Sequence, residues 1–471
     1  MELHWRAARE LSRAIREREL SAREVVAAHL ERIDAVNPKV NAIVSLRPEA
    51  ALAEADAADQ RMARGEPVGP LHGLPIAIKD LMDTAGIRTT YGSKLFAEHV
   101  PEVDSLLVAR LKAAGAIVVG KTNTPEAGAG SHTFNEVFGT TRNPWRLDRS
   151  AGGSSGGAGA ALAAGMLPLA DGSDHGGSIR NPASFNNVVG LRPTPGLVPH
   201  PGDGDVWDVA SVVGPMARTV GDLTLMLTAI VGPDPRSPLS HGAPAEFAGD
   251  LRGDLDGLRV AWTPDLGGLP IEASVRAVCD EAIGQFAACG ANVEHIDLDL
   301  RDADLAFETL RAVGFARLPE LFGAQLEDLR GRVKDTVIWN AEQGLALDGA
   351  TVARAMDARG RTFQQVAALL QDYDVIVAPA AQVAPFDADI EYPAEVDGVA
   401  MPHYLGWMRA CSRITVSSHP VAAVPAGFTG DGLPVGIQLV GRYRGDRRLL
   451  EIAAAWEAAT GLTARHPPLD D

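Results

Sequence analysis

Cysteine is scarce in this sequence: Cys279, Cys289 and Cys411 are the three among 471 residues. Three cysteines cannot form a disulfide framework, and their spacing matches no zinc motif. Long apolar runs are also missing. No stretch of about 18 apolar residues occurs, so no membrane-spanning helix is expected. Basic residues are in deficit, with 43 Lys and Arg against 61 Asp and Glu, a formal charge of −18. A field of that sign argues against sequence-independent binding of nucleic acid and against attraction to an acidic membrane. The N-terminal segment Met1-Glu2-Leu3-His4-Trp5-Arg6 is charged and lacks the apolar stretch of a signal peptide. A cytoplasmic protein is expected. The histidines are scattered without HExxH or comparable ligand spacing, so neither a catalytic metal nor a cofactor is expected.

With 46% apolar and 22% charged residues the chain is globular and long enough to bury a large core. Residues 5–65 read as helices, with Ser21-Ala22-Arg23-Glu24 as a capping box. Leu74–Lys79 and Ala116–Lys121 are short apolar runs flanking a helical stretch from Asp104 to Gly115. Strand, helix, strand in that order is a parallel-sheet unit. Ser150 to Gly190 is dense in Gly, Ser and Ala, and Ala158–Ala164 reads as a close-packed helix. Further strands are expected at Leu258–Trp262, Asn292–Leu298, Val375–Ala378 and Val435–Val440, with helices at Ser274–Cys289 and Arg447–Thr460. Residues 300–370 read as mostly helical, and Pro425–Phe428 as a turn. The expected fold is α/β: one domain over 1–471, with a mixed, mostly parallel central sheet flanked by helices. Within it, 1–65 supplies N-terminal helices, about 66–225 the catalytic core, about 230–415 a variable pocket-forming region, and 420–461 a closing strand and helix.

Three residues stand out for chemistry. Lys79 ends an apolar strand, where a lysine either snorkels to water or becomes a desolvated base. A fall of roughly 3 units from about 10.4, worth ~4 kcal/mol, would leave its amine neutral near pH 7. Ser154 lies in Gly152-Gly153-Ser154-Ser155-Gly156-Gly157, either a flexible turn or a loop that presents a hydroxyl. The loop lacks a P-loop ending and a GxGxxG fingerprint. It fits G-x-S-x-G formally, but Asn143–Arg149 does not read as the strand a nucleophile elbow needs. Ser178 follows Gly176 and Gly177, whose backbone N–H groups can converge on an oxyanion. The alternative is a capped turn, with Ser178 as N-cap and Asp174 paired to Arg180. Trp207, Phe315, Trp339, Tyr404 and Trp407 either line an aromatic pocket or pack in the core.

Together these segments resemble the amidase signature family of serine hydrolases. The resemblance covers about 60–225 and resumes from Pro420 to Gly461. It includes Gly73–Asp80, Gly120–Glu126, the Gly152–Gly157 loop, Gly176–Arg180, Gly190–Thr194, Gly214–Thr219 and Gly432–Gln438. It implies Ser178 as nucleophile, Ser154 as a bridging serine on a cis peptide, and Lys79 as general base. It implies an oxyanion hole from the N–H groups of His175, Gly176, Gly177 and Ser178, and a substrate contact at the Gly128 main chain. His175 departs from the aliphatic, small or hydroxyl residue usual in the family, and Asn186-Asn187 from a Cys-Gly found in several members. The implied activity is cofactor-free hydrolysis of a small-molecule amide, an aryl amide or carbamate among the candidates. An ester-preferring hydrolase with the same residues, and a glutaminase-like component of a tRNA amidotransferase, are the competing readings. The latter's local signature differs after Lys121-Thr122-Asn123, where this chain continues Thr124-Pro125-Glu126-Ala127-Gly128. No nucleic-acid or membrane partner is expected, and a homodimer is left open.

Overall fold

The protein is described from a computed structural model covering residues 2–201 and 205–469; Met1 of the N-terminal segment lies outside the described residues. Eleven strands form the main sheet: β1 Ile43–Val44, β2 Pro75–Lys79, β3 Ile117–Thr122, β4 Leu169–Asp174, β5 Val189–Arg192, β6 Val212–Ala217, β7 Arg259–Trp262, β8 Asn292–His295, β9 Val375–Pro379, β10 Val421–Phe428 and β11 Pro434–Val440. Their spatial order is β1-β3-β2-β4-β6-β5-β10-β11-β9-β7-β8.

The sheet is mixed and flanked by helices, but its balance differs from expectation. Four of the ten neighbouring pairs are parallel (β2 with β3 and β4, β7 with β8 and β9), so the sheet is not mostly parallel. The parallel pairs lie toward the two ends, where helical crossovers return each strand in the same direction. In the middle, from β4 through β6, β5, β10 and β11 to β9, each successive pair is antiparallel. Successive side chains of β2 and β3 alternate between two apolar cores: Ile76, Ile78 and Val118 enter one, Ala77, Ile117 and Val119 the other. Alternation of this kind buries both faces, which is why these segments read as continuous apolar runs.

The helices are α1 Ala8–Arg16, α2 Ala22–Val40, α3 Pro48–Ala63, α4 Leu106–Ala113, α5 Gly156–Ala163, α6 Arg180–Asn186, α7 Val220–Ile230, α8 Ala273–Ala288, α9 Asp302–Phe315, α10 Leu318–Phe322, α11 Leu326–Leu329, α12 Asp335–Leu345, α13 Gly349–Asp372, α14 Arg409–Val416 and α15 Asp446–Thr460. The Ser21 capping box is present, with Ser21 Oγ accepting from Glu24 N–H and the Glu24 carboxylate from Ser21 N–H. Three expectations are corrected. Pro425–Phe428 is the bulged end of β10, and the reversal comes at Thr429–Gly432. Proline is tolerated at such a bulge because it has no N–H to leave unpaired. The strand expected over Asn292–Leu298 ends at His295. Residues 146–150, which do not read as a strand, pair with Arg142–Asn143 in a small hairpin. That hairpin is half-exposed and so carries no apolar alternation to announce it.

Candidate active site

Lys79 stands at the carboxyl end of β2 with no exposed surface. Its Nζ lies 2.8 Å from Ser154 Oγ, 2.8 Å from Ser155 Oγ and 2.9 Å from Ser173 Oγ. Three hydroxyl acceptors match the three hydrogens of an ammonium. No carboxylate joins them among the described residues. Burial lowers the lysine pKa to about 7, while the Asp171 and Asp174 charges pull it back upward. Asp171 does not reach Nζ: its Oδ1 accepts the Lys79 backbone N–H at 2.9 Å and so fixes the end of the strand. A neutral amine has two hydrogens and one lone pair, so on deprotonation one of the three hydroxyls must become the donor.

Ser154 is reached through the cis peptide Gly153–Ser154, in the loop between the hairpin and α5. Behind it, Ser150 Oγ accepts the Gly152 N–H at 3.0 Å and bonds His132 Nδ1 at 2.7 Å, while His132 Nε2 meets the Ala388 carbonyl at 3.0 Å. With Nε2–H as the donor to Ala388, Nδ1 accepts and the Ser150 hydroxyl donates. The loop is thus anchored by a buried Ser–His pair that the sequence reading missed. Residues Ser131–His132 also pack so closely that a Cβ at Gly153 would come within 2.9 Å of His132 N.

Ser178 follows β4 in the turn that precedes α6, and 7% of it is exposed. Ile179, not Ser178, occupies the helix N-cap position, so the capped-turn reading is not met. The Ser178 carbonyl accepts the Ser155 N–H at 3.1 Å, tying this turn to the Ser154 loop. Asp174 organises the turn from beneath. It accepts Gly177 N–H and Ile179 N–H at 3.0 Å each and pairs with both Arg180 (2.9 Å) and Arg192 (3.3 Å), all fully buried. Burial pushes its carboxyl pKa up, but the two guanidiniums overcome this and hold it far below the usual carboxylate range. The Arg180 pairing follows the sequence expectation; the Arg192 one goes beyond it. Among the described residues, the N–H groups of His175, Gly176 and Ser178 have no protein acceptor. Gly177 adopts φ +115°, and a Cβ there would lie 2.5 Å from Cys411 Cβ.

Gly128 forms the opposite wall with φ +67°, and a Cβ there would lie 3.6 Å from Ser154 Oγ and 2.9 Å from Leu81 Cδ1. Leu81 and Ala127 in turn line a cleft of about 740 Å³ with Tyr91, Phe96, His99 and Phe322. Lys79, Ser154 and Ser178 lie behind this cleft and are not among its lining residues. The half-buried His175 ring packs edge-on against Phe307, its pKa lowered to about 4 by burial and then by the Arg311 charge. The five aromatics do not form one pocket. Trp207 is 64% exposed, Trp407 is core between Phe185 and Phe386, and Trp339 and Phe315 stay near Tyr404 or Arg311. Asn187 holds the left-handed C-cap of α6 at φ 57°, a conformation asparagine tolerates.

This arrangement is an α/β fold that buries a lysine against serine hydroxyls. Residues 24–450 match the Amidase family, and the chain belongs to it: it is an amidase, a hydrolase of amide C–N bonds. It is 38% identical over 468 residues to an acylamidase of Rhodococcus erythropolis, covering 99% of this chain and 98% of that protein. The A component of a glutamyl-tRNA(Gln) amidotransferase of Geobacter metallireducens is 36% identical over 485 residues, covering 98% of each chain. The crystal structure of a bacterial aryl acylamidase of the amidase signature family superposes with a TM-score of 0.90 at 28% identity, covering 99% of this chain and 100% of that one.

Proposed function

We propose that the protein hydrolyses acyl amides, aryl amides and carbamates among them, through an acyl-enzyme on Ser178. The observation that carries this reading is the fully buried Lys79, with Nζ 2.8 Å from Ser154 Oγ. Neutral Lys79 accepts the Ser154 proton as Ser154 takes one from Ser178, and Ser178 Oγ bonds to the amide carbonyl carbon. The oxyanion is held by the N–H groups of His175, Gly176 and Ser178; the Gly177 N–H is committed to Asp174. The relay then runs back, delivering the proton to the leaving nitrogen as the C–N bond breaks. Water enters by the same route, and the products are a carboxylic acid and an amine. The Gly128 main chain bounds the substrate on the other side.

A fluorophosphonate tests the assignment. It should modify Ser178; Ser178→Ala should abolish labelling and lower kcat by roughly 10³-fold or more. Ser154→Ala should slow both while leaving Ser178 as the modified residue. An adduct mapped to Ser154 in the unaltered enzyme sinks the assignment and returns the elbow reading, for which the 146–150 strand supplies the preceding element. The likeness to the amidotransferase component supports a second reading, a protein that releases ammonia for a partner. Turnover of acyl amides by the purified chain without ATP or tRNA separates the two. An ester-preferring hydrolase is separated by Lys79→Ala, which should harm amides more than activated esters, since only the amine leaving group requires the returned proton. A cytoplasmic location belongs to the same proposal, supported by three unpaired cysteines, since a reducing compartment keeps thiols free. Among the described residues no helix is long and apolar enough to cross a membrane.

A further inference from the structure

Buried arginines in this protein find strong acceptors, with one exception among the described residues. Arg180 and Arg192 meet Asp174, Arg413 meets Asp304, and Arg32 and Arg218 reach backbone carbonyls. Arg311, on α9, is 6% exposed, and its hydrogen bonds go to the phenol oxygen of Tyr404 alone, through Nη2 at 3.0 Å and Nε at 3.3 Å. Its guanidinium lies over the Phe315 ring at 4.7 Å. The acids of the same helix are committed elsewhere: Asp302 to Arg361, Asp304 to Arg409 and Arg413, Glu308 to Arg409 and His403. The phenol oxygen is overcommitted as well, for Asn340 Nδ2 reaches it at 2.6 Å. Three N–H donors converge on an oxygen with two lone pairs, and that oxygen carries a proton of its own. Buried charge is ordinarily matched by an opposite charge or by several strong carbonyl acceptors. Here donors are in excess, and no anion among the described residues answers them.

The cluster lies between the two backbone turns of the active site. One helical turn before Arg311, Phe307 packs so tightly on Gly176 that a Cβ there would meet its Cζ at 2.6 Å. On the other side, the Tyr404 ring lies 4.0 Å from where a Cβ of Gly130 would be, two residues beyond the Gly128 wall. With a formal charge of −18, the chain offers no general attraction to anions, so recognition of one must be local. We propose that Arg311, with Asn340 and Tyr404, recognises a carboxylate carried by the amide substrate. The guanidinium fork suits a planar carboxylate bidentately, and both side-chain donors would then turn from the phenol to the ligand. This deepens the amidase reading and rests on it.

Two matched pairs of substrates test the proposal and locate the carboxylate. 4-Acetamidobenzoate is compared with 4-methylacetanilide, and N-phenylsuccinamate with N-phenylpentanamide. In the unaltered enzyme the carboxylate member of at least one pair should be favoured by tenfold or more in kcat/KM, which needs no variant to be folded. Arg311→Gln should cut that ratio by tenfold or more, and Arg311→Lys should retain part of it. Preference for the neutral member in both pairs, or an equal fall of both members in Arg311→Gln, overturns the proposal. Fluorophosphonate labelling distinguishes the two levels: Ser178 modified with no carboxylate preference removes this inference alone, whereas no labelling and no turnover of any of the four removes both.

Discussion

The Lys79 amine is surrounded by three hydroxyls and kept from water, so its protonation bears on stability and on the proposed relay alike. As the base of the proposed relay it must be neutral, so kcat/KM for an amide should rise with pH through about 7, the value to which burial lowers its pKa. Stability has its own sign. Between about 7 and the unfolded lysine value near 10.4, the unfolded chain binds a proton that the folded chain does not, so stability rises with pH across that window. Lys79→Met removes the desolvated amine; it should raise Tm at pH 7 while lowering kcat by roughly 10²–10⁴-fold, read by calorimetry and by rate assay. Lys79, Ser154 and Ser178 were legible because each stands beside a sequence irregularity, an apolar strand end or a run of glycines. Ser173 and Asp171, which bond the Lys79 amine and the Lys79 backbone N–H, were not. They share one face of β4 at an i, i+2 spacing, a signal that exists only once 169–174 is recognised as a strand.

Why β4 escaped recognition is a matter of packing at the scale of elements. Its residues, Leu169-Ala170-Asp171-Gly172-Ser173-Asp174, include one large apolar side chain. Close approach replaces bulk here: a Cβ on Gly172 would sit 2.8 Å from Ile179 Cγ1, and one on Gly157 of α5 2.4 Å from Asn123 N. Periodicity arguments rest on large side chains and are blind to elements that touch through their backbones. Elsewhere they served well, as with α4 between β2 and β3, or α8 between β7 and β8. The turn from β4 to α6 is held by the carboxylate of Asp174, and Asp174→Asn would leave Arg180 and Arg192 buried with no counter-charge. Destabilisation of about 3–5 kcal/mol is expected, measured by urea unfolding, together with loss of labelling at Ser178. Because the folded carboxyl is held well below its ordinary value, the contribution is complete above about pH 4 and lost as pH falls through the folded value.

At the scale of the molecule, the family resemblance and the sheet's mixed character were legible, whereas the order of its strands was not, since nothing local specifies that β10 and β11 lie between β5 and β9. These last two strands join the half that carries Lys79, Ser154 and Ser178 to the half formed by β7, β8 and β9. Deleting residues 420–469 should therefore do more than trim a terminus: it bares the edges of β5 and β9, and the product should be insoluble or run as aggregate in size-exclusion chromatography. The same placement sets a schedule during synthesis. The ribosome releases β5 and β9 before β10 and β11, which cover one edge of each, have been made. At roughly 5–20 residues per second, β9 waits on the order of several seconds for β11, and β5 longer for β10. The nascent chain exposes two unpaired apolar edges throughout that interval, so codon choice and chaperone supply late in translation will govern its yield.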